Sequence, residues 1–274
     1  MTSVARATPP TGWAKGGAIA GFVSSALAIA EMEARKLARD PTELVSRAVQ
    51  PVLWLIVFGQ VFTRTRAIPT GALSYLEFMA PGVLAQGVLF TAIFYGIAVI
   101  WERDLGIIHK QLASPAPRAS LVLGKAIAAG VRGLPQAIII FVLAAVLGLR
   151  LELGVVPLGI VLALVLLGAA TFATFSLIVA CIVKTRERFM GIGQLLTMPL
   201  FFASNAIYPL ELMPAWLRAV AHVNPLTYLV DGLRAEMIAG ATSRFGVLTD
   251  LGLLFVLLTA LVLLAARLYP GLAR

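Results

Sequence analysis

A chain of 274 residues that is 60% hydrophobic and only 13% charged has too little polar surface to enclose a soluble core. Its mean hydropathy of +0.95 is that of an integral membrane protein. The formal net charge of +9 comes from basic residues at the ends of apolar runs, with no single patch, so anionic lipid headgroups account for it better than nucleic acid does.

The amino-terminal 1–41 reads as a cytoplasmic tail with an interfacial helix, and 42–274 as a bundle of six spans, together one transmembrane domain. Phe22, Leu27, Ile29, Met32 and Leu37 supply a face that can lie in lipid, Glu31 pairs with Arg35 at i,i+4, and Asp40-Pro41 ends the helix. A rival reading takes Lys15, the apolar run from Gly16 and Ala28-Ile29-Ala30 as a cleavable secretory signal. Cleavage would leave Arg35, Lys36, Arg39 and Arg47 outside the membrane, against the charge rule.

Six apolar runs follow, at about 43–62, 78–100, 119–147, 155–182, 189–207 and 248–267. Each is near the roughly 20 residues that a helix needs to cross a hydrocarbon core of about 30 Å. They are continuously apolar, without the alternation of membrane strands, so the fold class is all-α and polytopic. Pro51, Pro81, Pro135 and Pro199 lie within runs and read as kinks. The third and fourth runs are long enough to require tilt or projection beyond the bilayer.

Basic residues fall on alternate connections. Fifteen lie in the amino-terminal segment, the second and fourth connections and the tail, against six on the other side (Arg64, Arg66, Arg150, Arg218, Arg234 and Arg244). Both termini are therefore predicted to be cytoplasmic. Arg132 remains inside the third run, where it either snorkels toward the cytoplasm or pairs in a pathway.

Three stretches carry functional signals. The second connection, Trp101-Glu102-Arg103-Asp104-Leu105-Gly106 through Leu112, alternates acidic, basic and apolar residues over a short helix that Pro115 must end. That composition suits either a solvated connection or a helix seated in a groove of another protein. On the fifth run Gln194, Thr197, Phe201 and Ser204/Asn205 fall on one helical face. Polar groups there avoid lipid, so the stripe either lines a pathway or bonds neighbouring helices. Between the fifth and sixth runs, the segment from Ala206 to about Ala241 is too apolar for a free loop, yet Pro209, Pro214 and Asn224-Pro225 break it too often for a span. Short helices that enter the outer leaflet and return satisfy both facts, with Trp216 and Tyr228 anchored at headgroup depth. Asp231 and Arg234 are spaced to bond each other or a neighbouring helix end.

Chemistry by the chain alone is poorly provided for. Gly124-Lys125-Ala126 fails as a phosphate loop because Ala119 replaces its first glycine and Ala126 its hydroxyl. The acids form no close pairs of the kind that hold Mg²⁺, His109 and His222 fall on opposite sides, and Cys181 is the one cysteine. No catalytic, cofactor or metal residue is assigned. A secondary carrier should show paired midplane acids or matching interrupted helices, and neither is evident.

The run Phe201-Phe202-Ala203-Ser204-Asn205-Ala206-Ile207-Tyr208-Pro209-Leu210-Glu211-Leu212-Met213-Pro214-Ala215-Trp216, continuing to Asn224-Pro225 and Asp231-Gly232-Leu233-Arg234, resembles the signature of ABC type-2 exporter permeases, most closely the daunorubicin-resistance and multidrug branch. Glu102-Arg103-Asp104, Gly106, Leu112 and Ser114-Pro115 extend the match, as do Gln50-Pro51 and Phe58-Gly59, so it covers nearly the whole chain. Ile107 departs from the pattern, where a hydroxyl is common.

The resemblance implies a transmembrane export subunit in a bacterial plasma membrane. Separate ABC ATPase chains would bind the ATP and Mg, and a second permease copy or a homologous permease would complete the complex. It further implies that Glu102 makes a charged contact with the ATPase, that Arg103 and Asp104 fix the helix in its groove, that Gly106 allows close backbone approach, and that Leu112 belongs to the same contact. Tyr208, Pro209, Pro214, Trp216, Asn224, Pro225, Asp231 and Arg234 would form an outer re-entrant gate. The cargo would be an amphiphilic drug-like or lipid-like molecule, or alternatively a lipid-linked polysaccharide or complex lipid.

Overall fold

The computed structural model describes residues 49–65, 68–113, 118–183 and 185–273. The expected interfacial helix, the signal-like run, Arg66, Ser114-Pro115 and Arg274 lie outside the described residues. Helix α1 occupies 49–65 and includes a π-helical segment, Trp54–Gly59. The others are α2 (Tyr75–Asp104), α3 (Ile107–Leu112), α4 (Arg118–Val146), α5 (Val155–Ile182), α6 (Arg186–Phe202), α7 (Ala215–Val223), α8 (Pro225–Met237) and α9 (Val247–Leu268). Among the described residues the only extended pairing is a single bridge between Leu151 and Ile238.

The predicted third, fourth and sixth spans coincide with α4, α5 and α9 to within a residue. Four helices are long and apolar enough to cross a membrane among the described residues: Tyr75–Asp104, Leu121–Val146, Val155–Ile182 and Val247–Gly271. Helix α6 is shorter than the predicted fifth span, with 17 residues ending at Phe202. The reason is local. Pro199 lies in its last turn, and the Ser204 hydroxyl donates to the Phe201 carbonyl at 2.7 Å, a side-chain bond that competes with another helical turn.

Helix α5 carries no charged residue and sits at the centre, packed against α2, α4, α8 and α9. The main core is made where α2, α4, α5 and α8 meet, around Leu84, Leu89, Ile140, Leu164, Phe172 and Leu229. The outward faces are apolar as well. Ile138, Val142 and Val146 form an exposed i,i+4,i+8 row on α4, and Phe255, Val256, Leu263 and Leu264 are exposed on α9. Such surfaces suit hydrocarbon and not water.

Helix α2 starts with a capping box: the Glu77 amide donates to the Ser74 hydroxyl, and the Ser74 amide donates to the Glu77 carboxylate. Its 30 residues span about 45 Å at 1.5 Å per residue, which separates two polar ends of the molecule. Basic residues predicted for one side, Lys125 and Arg186, gather at the Glu102 end. Those predicted for the other, Arg150, Arg218, Arg234 and Arg244, gather at the Glu77 end.

Candidate functional site

At the Glu102 end, α2 runs straight through Glu102, Arg103 and Asp104 and stops at Leu105. The predicted helix over Glu102–Leu112 is therefore in two parts, broken at Gly106, whose φ is +71°. No atom lies within 4 Å of where a Gly106 Cβ would stand. Within this chain the glycine serves the left-handed turn and not a tight approach. Beyond it, α3 is held down by Ile108, fully buried with Val99, Val122 and Tyr269. The backbone of Leu112 closes α3; its side chain is outside the described set.

The charges here are spoken for internally. Glu102 accepts from the Lys125 ammonium, tying the end of α2 to the second turn of α4. Asp104 bonds Arg186 of α6 at 2.6 Å and its neighbour Arg103 at 3.0 Å. The Arg186 guanidinium also lies 3.7 Å above the Trp101 ring, a cation–π contact. Three helix ends are thus fastened together, while Trp101, Leu105 and Ile107 present exposed apolar surface around the Gly106 turn.

The stripe predicted on the fifth span does not survive as one face. Thr197 and Phe201 are buried, Gln194 is exposed, and Ser204 and Asn205 lie past the end of α6 in a turn. The Thr197 hydroxyl donates to its own helix, to the Gly193 carbonyl at 2.6 Å, and Phe201 packs edge-on against Trp54 of α1 at 5.8 Å. What the sequence presents as one helical stripe is split twice, between exposed Gln194 and buried Thr197 within α6 and again where α6 ends before Ser204.

At the Glu77 end the broken segment folds as expected into two short helices, α7 and α8, parted at Asn224-Pro225. Pro225 stands at the first position of α8, where its missing N–H costs nothing. Asn224 does more than break the chain. Its Oδ1 accepts from the Leu226 amide at 3.0 Å, capping α8, and its Nδ2 donates to the Leu200 and Ala203 carbonyls at 2.7 and 2.9 Å, finishing α6. Pro214 precedes α7, and Pro209 precedes a single 3-10 turn, Leu210–Leu212, whose carbonyls are bound by Arg218. Tyr208 donates its hydroxyl to the Phe202 carbonyl. Trp216 is 69% exposed and aligned with exposed Val220 and Val223, an apolar face suited to a lipid interface. Tyr228 is not such an anchor. It is buried against Phe245, ring centroids 4.9 Å apart, and its hydroxyl donates to the His222 carbonyl at 2.7 Å.

Asp231 and Arg234 take separate partners. Asp231 accepts from the Ser243 hydroxyl and from the Arg244 and Phe245 amides at 2.7, 2.8 and 3.1 Å, holding the loop before α9. Arg234 is fully buried: it donates to the Phe78 carbonyl at 3.2 Å and the Asn205 carbonyl at 2.7 Å, with its guanidinium 3.8 Å above the Phe78 ring. Asn205, Pro209, Asp231 and Arg234 share the wall of one open cavity of about 510 Å³ at this end. Gly82 makes the chain's passage possible, because a Cβ there would come 2.4 Å from the Ala206 carbonyl oxygen.

Sequence reasoning missed three pairings: Glu102 with Lys125, Asp104 with Arg186, and Glu77 with Arg150. The last is bidentate, at 2.7 and 3.1 Å, and the hydrogen bonds that the Arg150 guanidinium donates to Glu77 hold it above its ordinary pKa range. Ser74 and Glu77 carry a capping-box signal in the sequence, but nothing local points to Arg150, 73 residues away. The intramembrane Arg132 lies with its guanidinium 5.1 Å from the Tyr95 ring centroid, facing a cavity between α2 and α4.

The sequence profile of the family described as ABC-2 type transporter matches residues 25–238, most of the chain and both polar ends. The chain belongs to that family. This ABC-2 permease is similar to a putative transport permease of Cyanophora paradoxa, 30% identical over 203 residues that cover 73% of this chain and 69% of that one. It is 26% identical to a daunorubicin resistance ABC transporter permease protein of Streptomyces coeruleorubidus over 237 residues, 85% of this chain and 80% of the relative. An inner membrane transport permease of Escherichia coli matches at 24% over 232 residues, 81% and 84% of the two chains. As an ABC-2 permease the protein is a multi-pass transmembrane subunit of an ABC transporter.

Proposed function

We propose that this permease is one transmembrane half of an ATP-driven exporter that moves an amphiphilic drug-like or lipid-like molecule out of the cytoplasm or inner leaflet of a bacterial plasma membrane. The supporting observation is the Glu102 end, where exposed Trp101, Leu105 and Ile107 surround a sharp turn whose helices are cross-braced by ion pairs. A rigid apolar knob of this kind suits a groove on a separate ABC ATPase, which would carry ATP, Mg and all of the catalysis. ATP-driven closure of two ATPases would pull on the knob, and the bracing would pass the motion from α3 into α2, α4 and α6. In this reading the Glu102 end and both termini are cytoplasmic. The second permease copy, or a homologous one, would pack against α1 and α6, whose exposed apolar side chains include Leu53, Val57, Met190 and Leu195.

Reconstitution tests the reading. Proteoliposomes holding this chain with its co-expressed ATPase should move a fluorescent amphiphile only when ATP is supplied. The purified chain alone should hydrolyse no ATP. Turnover by the chain alone, or undiminished transport without the ATPase, would sink the proposal.

A further inference from the structure

The cavity beside Arg132 is bounded by Phe90, Thr91, Phe94, Tyr95 and Ala98 of α2 and encloses about 300 Å³. One helical turn along α4, Gln136 is 2% exposed, and its Nε2 has no hydrogen-bond partner. It faces a smaller chamber of about 70 Å³ that shares Phe90 and Thr91 with the first, so the two form one groove. The amide sits there because α2 yields room for it: a Cβ on Gly87 would come within 2.7 Å of Gln136 Cγ, Cδ and Nε2.

Both polar groups are deep. Arg132 stands fourteen residues into the 29-residue α4, about 20 Å from its start. A cation and an open amide donor at this depth, backed by protein and opening on a cavity, are the groups that membrane proteins reserve for cargo or ion paths. A buried donor without a partner is unfavourable where no water enters, and a ligand atom removes that cost. The spacing sets the ligand. Arg132 takes an anionic group, Phe90 and Phe94, with ring centroids 6.2 Å apart, take an apolar body, and Gln136 takes an acceptor about 6 Å from the anion.

We propose that this α2–α4 groove is an intramembrane binding site for an acidic amphiphile, an anionic head with a nearby ester or carbonyl oxygen on an apolar chain. The inference rests on the exporter reading for its direction of movement, and it replaces the fifth-span stripe as the cargo contact.

The full chain in nanodiscs would be tested against labelled phosphatidylglycerol and phosphatidylcholine of equal chain length, and against dansyl-undecanoate added from water. Phosphatidylglycerol should bind at least tenfold more tightly than phosphatidylcholine. Arg132→Gln should remove that preference and weaken dansyl-undecanoate equally, and Gln136→Leu should weaken phosphatidylglycerol severalfold. Binding of dansyl-undecanoate without phosphatidylglycerol assigns the site to cargo from the cytoplasm; binding of both includes bilayer lipid. Equal affinity for the two phospholipids, with no Arg132-dependent binding of dansyl-undecanoate, overturns the proposal, as does unchanged binding in Gln136→Leu. The assay needs no ATPase. Binding without ATP-driven transport would defeat the exporter reading and leave the groove standing, and normal transport by Arg132→Gln would do the reverse.

Discussion

At the scale of single residues, polar side chains in this protein act mostly as connectors between helices. Asn224 is the clearest, since one amide caps α8 and completes α6. Asn224→Ala removes three hydrogen bonds and leaves two carbonyls of α6 open. At about 1 kcal/mol for each bond and for the cap, the loss is about 2–4 kcal/mol. The variant should therefore melt several degrees lower in detergent, read by tryptophan fluorescence, and an unchanged melt would show that water replaces the amide. Arg234 illustrates the same rule with a charge. Its spacing from Asp231 invites a local pair, yet the carbonyls of Phe78 and Asn205 hold it, because burial demands partners in fixed positions and tertiary packing supplies them.

Among the elements, the brace at the Glu102 end decides how α3 is presented. If Glu102 touched an ATPase directly, Lys125 would matter little. If it acts by holding α2 to α4, the two residues form a unit. The expected result is that Glu102→Ala and Lys125→Ala each reduce co-purification with the ATPase by a similar factor and that the double variant falls no further. Additive losses would place Glu102 in the subunit contact itself. A partly exposed pair contributes about 1 kcal/mol, so the single variants should still insert and fold.

For the whole molecule, the segregation of basic residues between two ends some 45 Å apart predicts a labelling pattern. Leu105 and Leu153 are 67% and 65% exposed at opposite ends, so a cysteine at either is accessible and leaves the ion pairs intact. In a Cys181→Ser background, Leu153→Cys should react with an impermeant thiol reagent on intact cells, and Leu105→Cys only after the membrane is opened. The opposite order would invert the proposed topology and place the Gly106 turn beyond the reach of any cytoplasmic ATPase.

Much of the helix order was legible in the chain itself, because hydrophobic length, proline position and flanking charge are local quantities. They set α4, α5 and α9 almost to the residue and marked Asn224-Pro225 as a break. The pairings were not legible. Lys125 reaches Glu102 across 23 residues, Arg150 reaches Glu77 across 73, and Arg234 reaches Phe78 across 156. The fifth-span stripe failed because periodicity places residues on a face without saying what covers it, so Gln194 is exposed while Thr197 and Phe201 are buried, and because α6 ends at Phe202, before Ser204 and Asn205. Apolar runs long enough for lipid determined by themselves that this protein would be a helical membrane bundle. Only the packing of α2, α4, α8 and α9 around α5 decided which buried polar groups would meet, since each must find its partner inside the protein where no water is available.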